Sequence, residues 1–211
     1  MQIAPSILSA DFSELKKELD SIHTADWIHI DVMDGHFVKN ITIGPLVIKS
    51  IRKHSKKVFD THLMIEDANQ YAEAFIKAGS DQLTFHIEAC DNPLALIKKI
   101  KALGAKAGLS IKPNTPVETL NPYLNHIDLI LIMSVEPGFG GQTFMEESLE
   151  KIAYLATYKK NHNLTFDIVV DGGINEETGT RCAKAGATCL VAGSFIFNQK
   201  DRLKAIESLR K

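Results

Sequence analysis

Three apolar runs carry ionisable residues at spacings that could do chemistry. Trp27-Ile28-His29-Ile30-Asp31-Val32-Met33 alternates at period two, so in an extended chain His29, Asp31 and Met33 share one face. Val58-Phe59-Asp60-Thr61-His62-Leu63-Met64 places Asp60, His62 and Met64 together in the same way. Ile168-Val169-Val170-Asp171-Gly172-Gly173 ends in a carboxylate with two glycines behind it. One imidazole–carboxylate pair in such a run reads as a hydrogen-bonded core pair. Two imidazoles, His29 and His62, and two carboxylates, Asp31 and Asp171, at one depth of one core read differently, because neighbouring carboxylates repel. A divalent cation relieves that repulsion. A shell of two His and two Asp suits zinc, iron(II), manganese or cobalt and does not choose among them.

Glycine marks a second kind of site. Val135-Glu136-Pro137-Gly138-Phe139-Gly140-Gly141, Gly172-Gly173 and Gly193-Ser194 each follow an apolar run. Turns need glycine anyway, but three such loops at one end of a fold offer backbone N–H groups as an anion pocket. No Lys or Arg stands in these segments, so a phosphate would be held mainly by backbone. Met33, Met64 and Met133 each fall at the end of an apolar run. Core methionines are usually gap-fillers. At this depth they would also form a polarisable apolar cap that donates no proton, which suits an anionic intermediate.

Other polar residues carry less. Lys112 reads as a solvated loop lysine rather than a Schiff-base nucleophile, and His86 and Glu88 give only a weak signal for support or substrate contact. His23, His54, His126 and His162 read as surface residues, whereas Asp34-Gly35-His36-Phe37 forms a loop placed to close over substrate.

The elements that must position these residues alternate from end to end. Strands are expected over 2–8, 27–32, 58–64, 82–87, 105–111, 127–133, 166–170 and 188–192. Helices are expected over 12–23, 45–54, 68–78, 93–103, 116–124, 146–161, 176–185 and 201–209. Pro45, Pro93 and Pro116 open three of the helices, where a missing N–H costs nothing, and Gly79, Gly104 and Gly186 close three. Eight units at about 26 residues each predict a parallel (β/α)8 TIM barrel filling residues 1–211 as one domain. An open doubly wound sheet fits less well, because Leu8-Ser9-Ala10-Asp11 lacks the glycine pattern that seats a pyrophosphate.

Composition excludes several classes. With 24 Lys+Arg against 26 Asp+Glu the net charge is −2, and basic residues run no longer than pairs, so no nucleic-acid partner is expected. No apolar run approaches a membrane span, so no membrane partner is expected. Cys90, Cys182 and Cys189 are odd in number and lack C-x-x-C spacing, which suits reduced thiols. With an N-terminal segment unlike a signal peptide, this gives a cytoplasmic expectation. The runs 13–23 and 146–161 are candidates for a homo-oligomer interface.

A cation, two carboxylates on separate strands and a phosphate pocket imply proton transfer on a sugar phosphate. One carboxylate removes the proton α to a carbonyl and the other returns one to the opposite face, which is an epimerisation. Ala4-Pro5-Ser6-Ile7-Leu8, HIDVMDGHF from His29 to Phe37, Asp60-Thr61-His62-Leu63-Met64, MSVEPGFGGQ from Met133 to Gln142, VDGGIN from Val170 to Asn175 and VAGS from Val191 to Ser194 closely resemble the ribulose-phosphate 3-epimerase family. The resemblance spans essentially the whole chain. It implies interconversion of D-ribulose 5-phosphate and D-xylulose 5-phosphate in the pentose phosphate pathway, with one divalent metal on His29, Asp31, His62 and Asp171. Asp31 would accept the proton and Asp171 donate one, the roles exchanging in reverse. Ser6, His62, Gly138, Phe139, Gly140, Gly141, Asp171, Gly172, Gly173, Gly193 and Ser194 would contact substrate.

The chain departs from the family's usual pattern at Lys39, where proline is common, and at Asn114, where glycine is common. Both lie in loops over the mouth. The nearest alternative is 3-epimerisation of a hexulose phosphate such as D-allulose 6-phosphate, but GFGG and DGGIN stand where GFAG and DGS would be expected. Metal-free barrels related to orotidine phosphate decarboxylase need D-x-K-x-x-D, and here His62 takes the lysine position and Ile65 that of the second acid. A non-enzymatic phosphosugar-binding protein would have no use for two buried carboxylates around a metal.

Overall fold

Eight short β-rich runs with apolar faces must bury both sides, and a closed parallel barrel sheathed in helices does so. The computed structural model describes residues 1–210. Its strands are β1 (Gln2–Pro5), β2 (Trp27–Met33), β3 (Val58–Met64), β4 (Gln82–His86), β5 (Lys106–Ile111), β6 (Leu129–Met133), β7 (Asp167–Asp171) and β8 (Cys189–Ala192). All pair in parallel, in the order β1-β8-β7-β6-β5-β4-β3-β2. The seam between β1 and β2 is thinner. There Ser6 and His29 form a single parallel bridge, and Asp26 joins Ile3 through its amide and its carboxylate.

Helices α1 (Leu15–Ser21), α2 (Pro45–Arg52), α3 (Ala68–Ala78), α4 (Pro93–Ala102), α5 (Ser148–Asn161), α6 (Glu176–Ala185), α7 (Ser194–Phe197) and α8 (Arg202–Ser208) follow the strands. Local chemistry sets their ends. Asp67 and Asn92 cap α3 and α4 through their side chains, and Asn175 and Thr178 form a reciprocal capping box on α6. The large apolar core lies between barrel and helices, and includes Phe59, Phe85, Ile130, Ile168 and Leu155.

Inside the barrel the lining divides in two. Ala4, Leu129, Leu131, Val169, Cys189 and Val191 fill the side formed by β1 and β6 to β8. His29, Asp31, Asp60, His62, Thr84, His86 and Ser110 are buried on the side formed by β2 to β5. Polar atoms in that position must find partners or hold a ligand.

Two expected elements differ, and one helix is additional. The strand expected over 2–8 stops at Pro5, and Ile7–Ser9 makes a 3₁₀ turn capped by the Ser6 hydroxyl. The helix expected over 116–124 is a 3₁₀ segment, Val117–Tyr123, because Pro122 inside it has no N–H for an α-helical bond. Helix α7 after β8 is too short to show a periodic pattern and was not expected. Among the described residues no helix is long and apolar enough to cross a membrane.

Candidate metal and active site

The register of β2 on β3 sets His29 opposite Asp60, Asp31 opposite His62 and Met33 opposite Met64. The inward alternation of both strands then stacks these pairs in layers toward the C-terminal mouth. Asp171 at the end of β7 completes the middle layer. One donor atom each from His29, Asp31, His62 and Asp171 lies within 4.8 Å of all the others. Asp31 Oδ1 is 3.3 Å from both His29 Nε2 and His62 Nδ1. Asp171 Oδ2 is 3.6 Å from His29 Nε2 and 3.8 Å from His62 Nδ1.

Supporting groups orient these donors. Asp60 Oδ2 lies 2.8 Å from His29 Nδ1 and accepts its proton, which leaves Nε2 aimed at Asp31 and Asp171. Nε2 is fully buried and has no hydrogen-bond partner. A buried ring nitrogen aimed between two carboxylates, beside a second imidazole, fits a bound divalent cation. Ser6 Oγ donates to Asp31 Oδ2 at 2.6 Å, and Thr42 Oγ1 donates to the Asp31 carbonyl at 2.6 Å.

The electrostatics follow from burial. Burial opposes charge on Asp31, but the His29 and His62 rings outweigh it and hold its carboxyl well below the usual range. Burial likewise opposes charge on His29, yet Asp31 and Asp60 hold its pKa well above the ordinary value. Asp171 is pushed up to about 7 by burial and then by repulsion from Asp31. Burial lowers His62, and it lowers His86, Nε2 to Nε2 with His62, to about 4.

Above the cluster opens a cavity of about 380 Å³. Asp31 and Asp171 form its floor, with Met33, Met64 and Met133 around them. Ser6 and the glycine-loop residues Gly138, Phe139, Gly140, Gly141, Gly172, Gly173, Gly193 and Ser194 also line it. Every anticipated site residue therefore reaches the cavity except His29 and His62, which lie fully buried beneath the floor. The glycines are sterically required where loops crowd. A Cβ on Gly173, at φ +61°, would stand 2.6 Å from the Phe144 amide, and one on Gly172, at φ +122°, would stand 2.9 Å from the Val135 amide.

With that geometry in place the relatives are informative. The Ribulose-phosphate 3 epimerase family model matches residues 2–197. The chain belongs to this family. It is 47% identical over 215 residues to the ribulose-phosphate 3-epimerase of Bacillus subtilis (strain 168), covering 100% of this chain and 98% of the relative. It is 49% identical over 216 residues to the cytoplasmic isoform of the Oryza sativa subsp. japonica enzyme, covering 100% and 93%. A solved structure of KGPDC from Streptococcus mutans in complex with D-R5P matches with TM-score 0.77 at 16% identity, covering 99% of this chain and 94% of that one. At that identity the likeness speaks for the TIM-barrel fold alone. As a family member the protein is an isomerase, an epimerase.

The loops at its mouth are braced. Asn40 Nδ2 donates to the Gly138 carbonyl at 2.9 Å, joining the loop after β2 to the loop after β6. Gln142 Nε2 donates to the carbonyls of Glu136 and Phe139 and closes the second loop on itself. Phe139 at its tip is 59% exposed. Sequence reasoning placed Asp60 on the inward face of β3 without giving it a task. The signal lay in its two-residue spacing from His62.

Proposed function

We propose that this epimerase interconverts D-ribulose 5-phosphate and D-xylulose 5-phosphate in the cytoplasm, as a step of the pentose phosphate pathway. The observation that carries the reading is the meeting of Asp31 and Asp171, from β2 and β7, on the floor of one cavity walled by glycine loops. Inversion at a carbon needs an acid and a base on opposite faces of a planar intermediate, and two carboxylates on separate strands provide them.

Asp31 removes the C3 proton while Ser6 holds its other oxygen. Asp171, at the end of β7, returns one to the opposite face. Their roles exchange in the reverse direction. Met33, Met64 and Met133 exclude water and offer no proton, so reprotonation is left to the carboxylates. The loops carrying Gly138 to Gly141, Gly172-Gly173 and Gly193-Ser194 hold the phosphate through backbone N–H groups. His29, Asp31, His62 and Asp171 would hold one zinc, iron(II), manganese or cobalt ion. When bound, that ion supplies positive charge for the oxygens of an enediolate.

The test is the epimerisation rate on ribulose 5-phosphate beside allulose 6-phosphate, with chelator-stripped enzyme resupplied with each of the four metals. Metal-dependent turnover favouring the pentose is expected. Turnover favouring the hexose would move the substrate, and none with any metal would remove the reading.

A further inference from the structure

His62 faces the cluster with Nδ1 and turns its other nitrogen away from it. Nε2 lies 2.9 Å from Nε2 of His86 on the neighbouring strand β4, and both rings are fully buried. His86 Nδ1 in turn lies 3.2 Å from Glu88 Oε2. The other oxygen of Glu88 accepts from the Lys112 amide at 2.7 Å and from the Thr115 hydroxyl at 2.5 Å.

Without a cation His62 Nδ1 is also in hydrogen-bond reach of Asp31 Oδ1, at 3.3 Å. With that carboxylate turned to a cation, the direction of each bond in this chain follows from its far end. A carboxylate gripped by two donors at one oxygen accepts at the other, so the hydrogen sits on His86 Nδ1. His86 Nε2 is then the acceptor, and His62 Nε2 carries the hydrogen. That leaves the lone pair of His62 on Nδ1, the atom that faces Asp31 and Asp171. We propose that Glu88 and His86 are positioning residues, which fix His62 in the one tautomer and ring orientation able to ligate the metal. The inference rests on the metal reading above. It gives His62 what Asp60 gives His29, through one more imidazole. Two loops over the mouth join the same chain. The Phe37 ring packs 4.7 Å from that of His86, and Lys112 Nζ stands 3.9 Å over Phe37.

The test titrates chelator-stripped full-length protein with cobalt(II) against a competing chelator, reading affinity and the visible d–d spectrum. His86→Phe keeps a ring and removes the acceptor. It should weaken cobalt binding by roughly 10- to 100-fold and alter the spectrum. His86→Gln, whose amide oxygen can accept from His62, should restore most of the affinity. Glu88→Ala should show the same spectral change with a smaller loss. Wild-type affinity and spectrum in a folded His86→Phe protein would overturn the proposal. If that variant does not fold, Glu88→Ala decides by the same criterion. His62→Ala is the control: if it too binds cobalt like the wild type, the metal reading fails, and the positioning inference with it.

Discussion

The Ser6 hydroxyl donates its only hydrogen to Asp31 Oδ2 at 2.6 Å, and so turns Oδ1 toward His29 and His62. Both residues are almost fully buried, at 5% exposure each, and meet solvent only through the cavity they line. Ser6 occupies that place because β1 ends one residue earlier, at Pro5, where the chain turns across the seam to meet His29.

Ser6→Ala is therefore expected to disorient the proposed proton acceptor, Asp31, without emptying the site. A hydrogen bond to a charged group is worth about 1.5–3 kcal/mol, so kcat/KM should fall by roughly ten- to a hundredfold. Steady-state kinetics on the metal-loaded enzyme measures this. Unchanged kinetics would mean the bond serves folding alone.

Asp31→Asn and Asp171→Asn each remove one of the two proposed proton-transfer groups while keeping the side-chain shape. Each should cost roughly 10²–10⁴-fold in turnover, the usual contribution of a positioned acid or base. Calorimetry should show both variants folded. An Asp171→Asn enzyme with near-normal turnover would end the two-carboxylate scheme.

Stability of the metal-free chain should run against activity at Asp171. Its pKa is raised from 3.8 to about 7 by burial and by Asp31, so the folded state keeps a proton that the unfolded state has lost. The stabilisation from that proton is fully present below the unfolded value and disappears as pH rises through the folded one. Chelator-stripped Asp171→Asn should therefore melt above the wild type at pH 8, and the gap should close toward pH 4. Cation binding must displace the same proton, so wild-type cobalt affinity should weaken as pH drops below about 7. A gap independent of pH would contradict the assignment.

How much of this was legible beforehand depends on whether a relation is local. Period-two alternation suffices to put His29, Asp31 and His62 on inward faces, and the glycine pairs suffice to mark the mouth. Register between strands is not written in either strand alone. Asp60 finds His29 only because β2 and β3 pair residue 29 with residue 60. His86 reaches His62 because β4 is set with Thr84 opposite His62, which brings the next inward residue of β4 alongside. Elsewhere a local rule was outweighed by another. Pro116 suggests a helix start, but Pro122 denies the segment its α-helical bonds, and Val117–Tyr123 folds as 3₁₀.

The last prediction separates the mouth from the floor. Ser194, the first residue of α7, and Gly173, two residues past Asp171, line the cavity, and neither belongs to the four-residue cluster. Ser194→Leu fills part of the pocket proposed for phosphate and should raise KM and the inhibition constant of inorganic phosphate by about tenfold or more, the effect of losing about 1.4 kcal/mol. Gly173→Ala should do the same and lower the Tm as well. Its φ of +61° is strained for alanine, and the new methyl would press on the Phe144 backbone and displace the loop after β6. Cobalt affinity should be unchanged in Ser194→Leu, because Ser194 is not one of the four donor residues. Equal losses of phosphate and cobalt binding would mean that the glycine loops shape the metal centre itself, and the division into a phosphate wall and a metal floor would fail.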